Sequence, residues 1–418
     1  MDYLSMQIAR IMILHLRIYG PYIYTARMIL AMPCKTLPWW AAPLLQLWGA
    51  QTEDGELLIG RNFDFYAGDD FAKQKIIAFI SPEQGHNYMS VTWPGMLGVV
   101  SGMNSQGLTV TINAGKSKIP WVAKTPISLV TKEILQYAST IAEAVAIAKK
   151  RAVFVSESIL VGSAKDKRAV LIEVSPQKVG VYTVDHQNYL ICANHFQSDA
   201  YAEDKRNQKH IEESHSAYRF KRMQQLVTKQ PKLNPSLAVD ILRNKEGLED
   251  QAIGYGNEKA LNQLLAHHAV VFQPEKQLAW VSSAPYQLGA FVAYDLKEIF
   301  SRTPNTNGAS LQENTLRIAP DPFLKTTAYT QYETYRILKK DIEDATQSYS
   351  LADLEAFTQT NPEYWEGYYV AGKYLYKKGY YRAALPFFET ALEKEVTTVP
   401  DKEQLSYYIK KINRKLAK

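Results

Sequence analysis

Short apolar stretches, several of them alternating with polar residues, recur between residues 45 and 282 and predict β-strands. The first two strands are joined at Asp54-Gly55, and Asp-Gly between two apolar runs is a strong signal for a β-hairpin. The predicted strands cover residues 45–51, 56–65, 108–113, 153–162, 169–175, 179–184, 189–194, 270–272 and 278–282.

Segments with helical spacing of apolar residues lie between two runs of strands. Residues 126–137 and 140–150 show this spacing, and Ser139-Thr140 followed by Glu143 is a predicted capping box. We further predict a basic helix that begins at residue 216, short helices over 237–243 and 259–267, and a polar loop over 207–214. Two runs of strands with intervening helices favour an α+β fold, an αββα sandwich in which helices cover two packed sheets.

The C-terminal part of the chain follows a different pattern. Residues 301–330 hold Pro304-Asn305-Thr306-Asn307-Gly308 and Pro320-Asp321-Pro322, which predict a turn-rich link, and the pattern beyond them is helical. Small and aromatic residues stand there at the spacings of a tetratricopeptide repeat: Gly372, Gly379, Tyr381, Ala384, Phe388 and Ala391. Residues 351–360 resemble the end of a preceding repeat, and residues 404–416 resemble a capping helix.

A single repeat cannot bury its own apolar face, so we expect it to pack on a neighbour or on the main domain. Two interpretations stay open, a helical appendage without a partner and a unit that docks a peptide or protein. The predicted divisions are an atypical segment over residues 1–47, a main domain over 48–300, a linker over 301–334 and a helical region over 335–418.

Composition and charge narrow the class of protein. A chain of 418 residues with 46% hydrophobic and 22% charged residues can bury a large core and is ordinary for a globular protein. The net charge of +6 is concentrated at the ends, because residues 1–47 carry four basic residues and one acidic residue, and residues 401–418 carry six and two. The near-neutral body argues against a nucleic-acid partner.

The two cysteines, Cys34 and Cys192, exclude a disulfide scaffold, and no Cys/His pattern indicates a metal site. Cys192 lies in an apolar run and is interpreted as an inert core residue. Arg10, Arg17 and Arg27 interrupt every apolar run of the N-terminal segment, so no membrane span is expected there. No cofactor is expected.

A candidate site begins at the end of the second predicted strand. Arg61 and Asp64 stand three residues apart in Gly60-Arg61-Asn62-Phe63-Asp64-Phe65, at or near the rim of the sheet. An arginine offers a rigid fork of donors that suits a carboxylate or a carbonyl. On their own these residues fit a surface ion pair equally well.

Further segments supply a resemblance. In order along the chain they are a turn and strand over 103–115 that ends at Asn113, a strand over 189–196 that contains Asn194, a basic helix start over 216–222 that contains Arg219, and a late strand with its turn over 269–274. With the Arg61 and Asp64 motif, this order resembles the N-terminal-nucleophile cysteine hydrolases. The chain resembles their penicillin acyltransferase-like branch (peptidase family C45) and, more distantly, the choloylglycine hydrolases, over roughly residues 48–300.

The resemblance implies a role for each residue. In the family an N-terminal cysteine attacks an amide carbonyl and its own α-amine acts as the base. Asp64 would orient that amine, and Arg61 would neutralise Asp64 or contact the acyl side of the substrate. Asn113 would donate to the oxyanion. Asn194 would position the amine or the substrate carbonyl, and Arg219 would support the pocket.

The nucleophile expected from the resemblance is missing from its place. Counting back from Trp48-Gly49 puts it near Ala42, in a stretch without Cys, Ser or Thr, and Cys34 lies eight residues too early and follows Pro33. The codons for Trp-Ala-Ala-Pro, read two bases later, permit Gly-Cys-Ser or Gly-Cys-Thr at the expected place. Three hypotheses therefore stay open: a frame error before about residue 47, Cys34 as a displaced nucleophile, and a relative without a nucleophile.

Two function classes follow from this. The first is hydrolysis or acyl transfer at a linear, non-peptide amide bond of a small acyl-amide substrate, after self-cleavage of a precursor. The second is an inactive relative that binds a protein or peptide through its helical repeat. The acyl group and the amine are not coded by motifs.

Overall fold

The computed structural model describes residues 43–64, 73–116, 124–153, 155–230, 232–265, 267–302, 310–345 and 347–417. The strands are β1 (Leu44–Leu47), β2 (Leu58–Phe63), β3 (Ile76–Ile80), β4 (Tyr88–Thr92), β5 (Ser101–Asn104), β6 (Leu108–Ala114), β7 (Glu157–Ser163), β8 (Arg168–Val174), β9 (Val179–Tyr182), β10 (Tyr189–Cys192), β11 (His268–Gln273), β12 (Leu278–Ser282), β13 (Phe291–Asp295) and β14 (Glu313–Ile318). The helices are α1 (Ile127–Tyr137), α2 (Ile141–Lys150), α3 (Lys205–Glu213), α4 (Ser216–Lys229), α5 (Pro235–Leu242), α6 (Leu296–Ser301), α7 (Thr327–Asp344), α8 (Leu351–Gln359), α9 (Trp365–Lys377), α10 (Tyr381–Glu393) and α11 (Val399–Leu416).

The strands form two antiparallel sheets of seven strands each. The first sheet has the order β10-β1-β2-β11-β12-β13-β14, and the second runs β3 to β9 in chain order. The predicted hairpin around Asp54-Gly55 is present, with Leu47 paired to Leu58 and Leu44 paired to Arg61. Gly55 has a positive φ of 77°, a conformation that glycine adopts without a steric cost.

Helices cover the outer face of each sheet. Apolar residues of both sheets form a core between them, including Ile59 of the first sheet and Val91 of the second. The other face of the first sheet packs on α4 and α5, and that of the second sheet packs on α1 and α2. Helix α2 begins with the predicted capping box of Thr140 and Glu143. The predicted α+β class and the four-layer αββα arrangement are thus confirmed.

Two local predictions are wrong. The predicted loop over residues 207–214 lies mostly in helix α3, because the Asp204 side chain caps the backbone N–H groups of Arg206 and Asn207. The predicted helix over 259–267 is irregular, because the Asn262 side chain accepts from the Leu264 N–H and Leu264 has a positive φ of 51°.

The predicted link over residues 301–334 contains strand β14, which no pattern in the sequence indicates. This strand pairs with β13 at the edge of the first sheet, and four of its six residues are exposed. An edge strand of this kind has no buried face to impose an alternating pattern, so its sequence resembles a turn-rich segment. The division of the chain into domains stays a prediction.

Helices α7 to α11 form a second unit with an aromatic-rich core. Tyr335 stacks on Phe357 at 5.3 Å, and Phe388 stacks on Tyr408 at 4.8 Å. Leu264 of the main domain belongs to the same core, so the unit packs on the sandwich. The antiparallel pair α9 and α10 lies where the repeat is predicted, and its assignment as a tetratricopeptide repeat stays a prediction. Within the described residues, no helix is long and apolar enough to cross a bilayer.

Candidate active site

The sequence-predicted site residues lie around the N-terminal end of β1. Leu44, the first residue of this strand, pairs with Arg61 of β2 on one side and with Cys192 of β10 on the other. Asp64 directly follows β2, and Asn194 follows β10 by two residues. The ends of two neighbouring strands therefore place a carboxylate and an amide on either side of this position.

Arg61 links the two sheets. Its side chain is fully buried, and its guanidinium donates to the Val100 carbonyl at 2.9 Å, to the Ser101 hydroxyl and to the Ile112 carbonyl. The guanidinium carbon lies 4.5 Å from the centre of the Phe63 ring. Burial lowers the pKa of Arg61 to about 9, although the carboxylates of Asp64 and Glu157 act in the opposite direction.

Asp64 is a buried carboxyl group whose hydrogen-bonding capacity is unused. The residue is 2% exposed, and within the described part of the chain neither side-chain oxygen has a hydrogen-bond partner. Burial raises the pKa of Asp64 to about 8, against the guanidinium groups of Arg219 and Arg61, and Glu258 acts in the same direction as burial. A buried carboxyl group in this state is ready to accept hydrogen bonds from a cation that enters the site.

Asn194 and Arg219 form a direct pair. Arg219, in the first turn of α4, donates from Nη2 to Asn194 Oδ1 at 2.6 Å. The Asn194 side chain donates to the Ala114 carbonyl at 3.3 Å, and its backbone N–H donates to the Ser216 hydroxyl at 2.8 Å. Arg219 is fully buried, and its Nε and Nη1 atoms have no hydrogen-bond partner. Burial lowers the pKa of Arg219 to about 10.

Asn113 connects the second sheet to the same strand end. It lies in β6 opposite Ser158 of β7, and its Nδ2 donates to the Ala193 carbonyl at 3.1 Å. The same nitrogen lies 3.5 Å from Cys192 Sγ. Asn113 donates to the residue before Asn194, and Asn194 donates to the residue after Asn113. These two hydrogen bonds bring the two asparagines together.

Cys192 lies in the core, as its apolar surroundings in the sequence indicate. It is fully buried, and burial raises the pKa of its thiol to about 12. A thiol is a poor nucleophile unless it ionises. Cys192 is thus a packing residue and an acceptor for Asn113.

One geometric expectation is wrong. The sequence predicts Arg61 at or near the rim of the sheet, whereas its side chain is fully buried, as is that of Arg219. The reason is that each guanidinium finds acceptors in the interior: carbonyl and hydroxyl groups of the second sheet for Arg61, and the Asn194 amide for Arg219. Cys34 and Ala42, the two positions considered for the nucleophile, lie outside the described residues.

Sequence reasoning missed Glu157 and His215, together with Glu258, which His215 contacts. Glu157, at the start of β7, is buried, and burial raises its pKa to about 8 while Arg61 lowers it. His215 precedes α4 and lies 3.4 Å from the Glu258 carboxylate. A glutamate at the start of a strand and a histidine before a helix belong to no sequence motif. They are identified only in the structure, by their burial beside charged residues. Within the described chain, no three His, Cys, Asp or Glu side chains are grouped as metal ligands.

Comparison with known proteins gives a match to a family model. The model of acyl-coenzyme A:6-aminopenicillanic acid acyl-transferase matches residues 50–285, which is more than half of the chain. An uncharacterized protein of Archaeoglobus fulgidus is 29% identical over 140 residues. This match covers 32% of the present chain and 23% of that relative, so the chain spans less than a quarter of the relative's length.

Several solved structures are similar to the chain at low identity. An N-acylethanolamine-hydrolyzing acid amidase ortholog of Caenorhabditis elegans is 17% identical with a TM-score of 0.40, over 56% of this chain and 93% of that one. A mutant conjugated bile acid hydrolase from Clostridium perfringens is 14% identical with a TM-score of 0.41, over 64% and 95%. Penicillin V acylase from Agrobacterium tumefaciens is 14% identical with a TM-score of 0.42, over 61% and 86%.

Proposed function

Because the chain belongs to the acyl-coenzyme A:6-aminopenicillanic acid acyl-transferase family, we propose that it is built to hydrolyse linear, non-peptide amide bonds or to transfer their acyl groups. The nucleophile would be the thiol of a cysteine that self-cleavage leaves at the N-terminus of the mature chain. The substrate would be a small acyl amide.

One observation carries this proposal: buried ionisable groups that have unpaired atoms within the described part of the chain surround the N-terminal end of β1. The carboxyl of Asp64 and two nitrogens of Arg219 have no hydrogen-bond partner, and both residues are buried. Leaving such groups unpaired costs about 1–3 kcal/mol each, so the fold tolerates them at a loss of stability. A charged group at the start of β1, such as a terminal ammonium, would complete the arrangement.

The chemistry assigns a role to each group. The thiolate attacks the amide carbonyl, the C–S bond forms, and the C–N bond breaks as the amine leaves with a proton from the α-ammonium. Water, or a second amine in transfer, then attacks the thioester and releases the thiol. Asp64 would orient the α-amine, Asn113 would donate to the oxyanion, and Asn194 with Arg219 would position the amine or the substrate carbonyl. Arg61 would hold the two sheets in register beneath them.

The identity of the nucleophile is the open part of the proposal. Cys192 is unsuitable because it is buried and its pKa is raised. The remaining hypotheses are a cysteine that belongs at position 42 but is lost because the residues before about 47 are out of frame, Cys34 acting from a displaced position, and a chain without a nucleophile. We expect the first, so the chain as printed should neither cleave itself nor hydrolyse acyl amides.

The test compares two forms of the protein. The intact mass and the N-terminal residue of the purified chain show whether it processes itself. A variant that begins at position 42 with Ala42→Cys should hydrolyse a fluorogenic acyl amide, and the same variant with Ala42→Ser should be much slower because a hydroxyl is rarely ionised. A mature chain that begins at Cys34 and loses activity on Cys34→Ala would refute position 42 as the place of the nucleophile. No activity in any form would refute the function.

The alternative is an inactive relative that binds a partner through its helical unit. Alanine at position 42, where the resemblance expects the nucleophile, is the observation behind it. An unprocessed chain that remains inactive after Ala42→Cys, and that binds a peptide through α9 and α10, would establish this alternative.

A further inference from the structure

Glu258 differs from the other carboxylates where the sandwich meets the helical unit. Glu395 is paired with Lys259, and Glu366 is paired with Lys339 at 2.6 Å. In the described part of the chain, the only ion-pair partner within reach of the Glu258 carboxylate is His215, at 3.4 Å.

His215 does not neutralise this carboxylate. Burial lowers the pKa of His215 well below its ordinary value, and the charge of Arg219 acts in the same direction. The imidazole is therefore neutral near physiological pH. Burial and the charge of Glu366 raise the pKa of Glu258, and the charge of Arg219 lowers it. The Glu258 side chain is 49% exposed, so a ligand can reach its carboxyl group.

Glu258 is close to the proposed reaction centre. His215 is followed by Ser216, whose hydroxyl accepts the Asn194 N–H at 2.8 Å, so the carboxylate is one contact away from the strand end that carries Asn194. Its charge also influences both Asp64 and Arg219, as their pKa values show. Glu258 therefore lies within electrostatic range of two residues of the proposed site.

The helical unit fixes the backbone on either side of Glu258. Asn257 Nδ2 donates to the Glu395 carbonyl at 2.9 Å, and Lys259 Nζ contacts the Glu395 carboxylate. The Thr397 hydroxyl donates to Asn257 Oδ1 at 3.3 Å. A Cβ added to Gly254 would lie 2.4 Å from the Tyr364 Cα, so the segment approaches the helical unit closely.

From this geometry we propose that Glu258 determines the specificity of the site, selecting acyl amides that carry a cationic group, and that Glu395 of the helical unit positions it. The inference rests on the proposed function, because it names the substrate class of the same site. It gives the helical unit a part in substrate selection without requiring a docked protein.

The test measures binding to the full chain, which is expected to be inactive. N-hexanoyl-cadaverine, which ends in an ammonium group, is compared by calorimetry at mildly alkaline pH with N-hexanoyl-hexylamine, which is neutral and of similar length. We expect the cationic amide to bind about tenfold more tightly, a typical effect of one complementary charge. Glu258→Gln should remove the difference, and Glu258→Asp, which keeps the charge, should retain part of it.

The matched control is Glu355→Gln, the same change at an exposed position of α8, which should leave the preference intact. Glu395→Ala should weaken the preference without changing the affinity for the neutral amide. Equal affinity for the two amides, no binding of either, or a preference that survives in Glu258→Gln would overturn the inference. If the Ala42→Cys form fails to turn over substrate while the charge preference persists, only the proposed catalysis fails. Turnover without a charge preference would refute the role of Glu258 and leave the proposed catalysis standing.

Discussion

The sandwich and the helical unit differ in how many of their buried polar atoms lack a hydrogen-bond partner. Near the site, atoms of Arg61, Asp64, Glu157 and Arg219 are buried without a hydrogen-bond partner. Among the described residues from 327 to 417, only one oxygen of Glu333 is in this state. There the Trp365 indole donates to Thr397, and Lys339 pairs with Glu366.

This difference separates what stability requires from what a site requires. The helical unit obtains its stability from stacked aromatic side chains and satisfied polar contacts, as an ordinary core does. The sandwich has an equally apolar core around Ile59 and Val91, yet it keeps unsatisfied charges at one strand end. Unpaired buried atoms also occur elsewhere in the described part of the sandwich, as at Ser90 and Gln287, but the ionisable residues Arg61, Asp64, Glu157 and Arg219 group near this strand end. Buried ionisable groups in such a group are typical of preorganised chemistry.

Replacing Arg61 should have the largest effect on stability. Arg61→Ala leaves the Val100 and Ile112 carbonyls without their donor and creates a cavity between the sheets. We expect the free energy of unfolding to fall by about 3–5 kcal/mol in urea denaturation. Arg382→Ala, at an exposed position of α10, should change it by less than about 0.5 kcal/mol. Similar effects of the two changes would show that the linkage between the sheets contributes little.

Asp64→Asn should stabilise the protein and abolish activity in any active form. The carboxyl titrates near pH 8 in the folded chain against an ordinary value of 3.8, so the folded state holds a proton that the unfolded state has released. Stability therefore falls as pH rises from about 4 to 8. The substitution should remove this slope and raise the free energy of unfolding by roughly 2–4 kcal/mol above pH 8. Unfolding measured across this pH range checks it, and an unchanged slope would contradict the assignment.

The strands and helices that face a core could be predicted, because burial imposes a period on the sequence. The Asp54-Gly55 hairpin, the Thr140 capping box and the α9–α10 pair follow from local rules of this kind. Polar elements could not be predicted in this way. Helix α3 has few apolar residues and depends on its Asp204 cap, and β14 exposes most of its side chains at a sheet edge.

Some features of the site could likewise be predicted from the sequence, and others could not. Arg61, Asp64, Asn113, Asn194 and Arg219 could be proposed because their order resembles a known family, and the structure places them around one strand end. Their roles stay predictions. The burial of both arginines could not be predicted, because their acceptors come from residues distant in sequence, such as Ile112 for Arg61. Glu258 was missed for a similar reason, since only its contact with His215 places it near the site.

Breaking the junction between the two units should have an intermediate effect. Glu395→Ala removes the partner of Lys259, and both side chains are largely buried at 22% and 11% exposure. We expect a loss of about 1–3 kcal/mol in the free energy of unfolding, because a partly buried ammonium loses its counter-ion. The more exposed pair of Lys394 and Glu363 is the control, and Glu363→Ala should cost at most about 1 kcal/mol. Equal losses would argue against a specific junction.

The smallest expected effect tests whether the two units unfold together. The same capping box begins α2 in the sandwich and α11 in the helical unit: Thr140 accepts from the Glu143 N–H at 3.3 Å, and Thr398 accepts from the Asp401 N–H at 3.2 Å. Each Thr→Ala change should cost about 1 kcal/mol. Because Leu264 lies in the aromatic core and Asn257 is bonded to Glu395, we expect one cooperative unit. Hydrogen exchange of the slowest amides in β6 and β7 should then accelerate equally in both variants. If Thr398→Ala accelerates exchange only in α7 to α11, the helical unit opens alone. The contacts of Glu395 with Asn257 and Lys259, which flank Glu258, can then be lost while the sandwich stays folded.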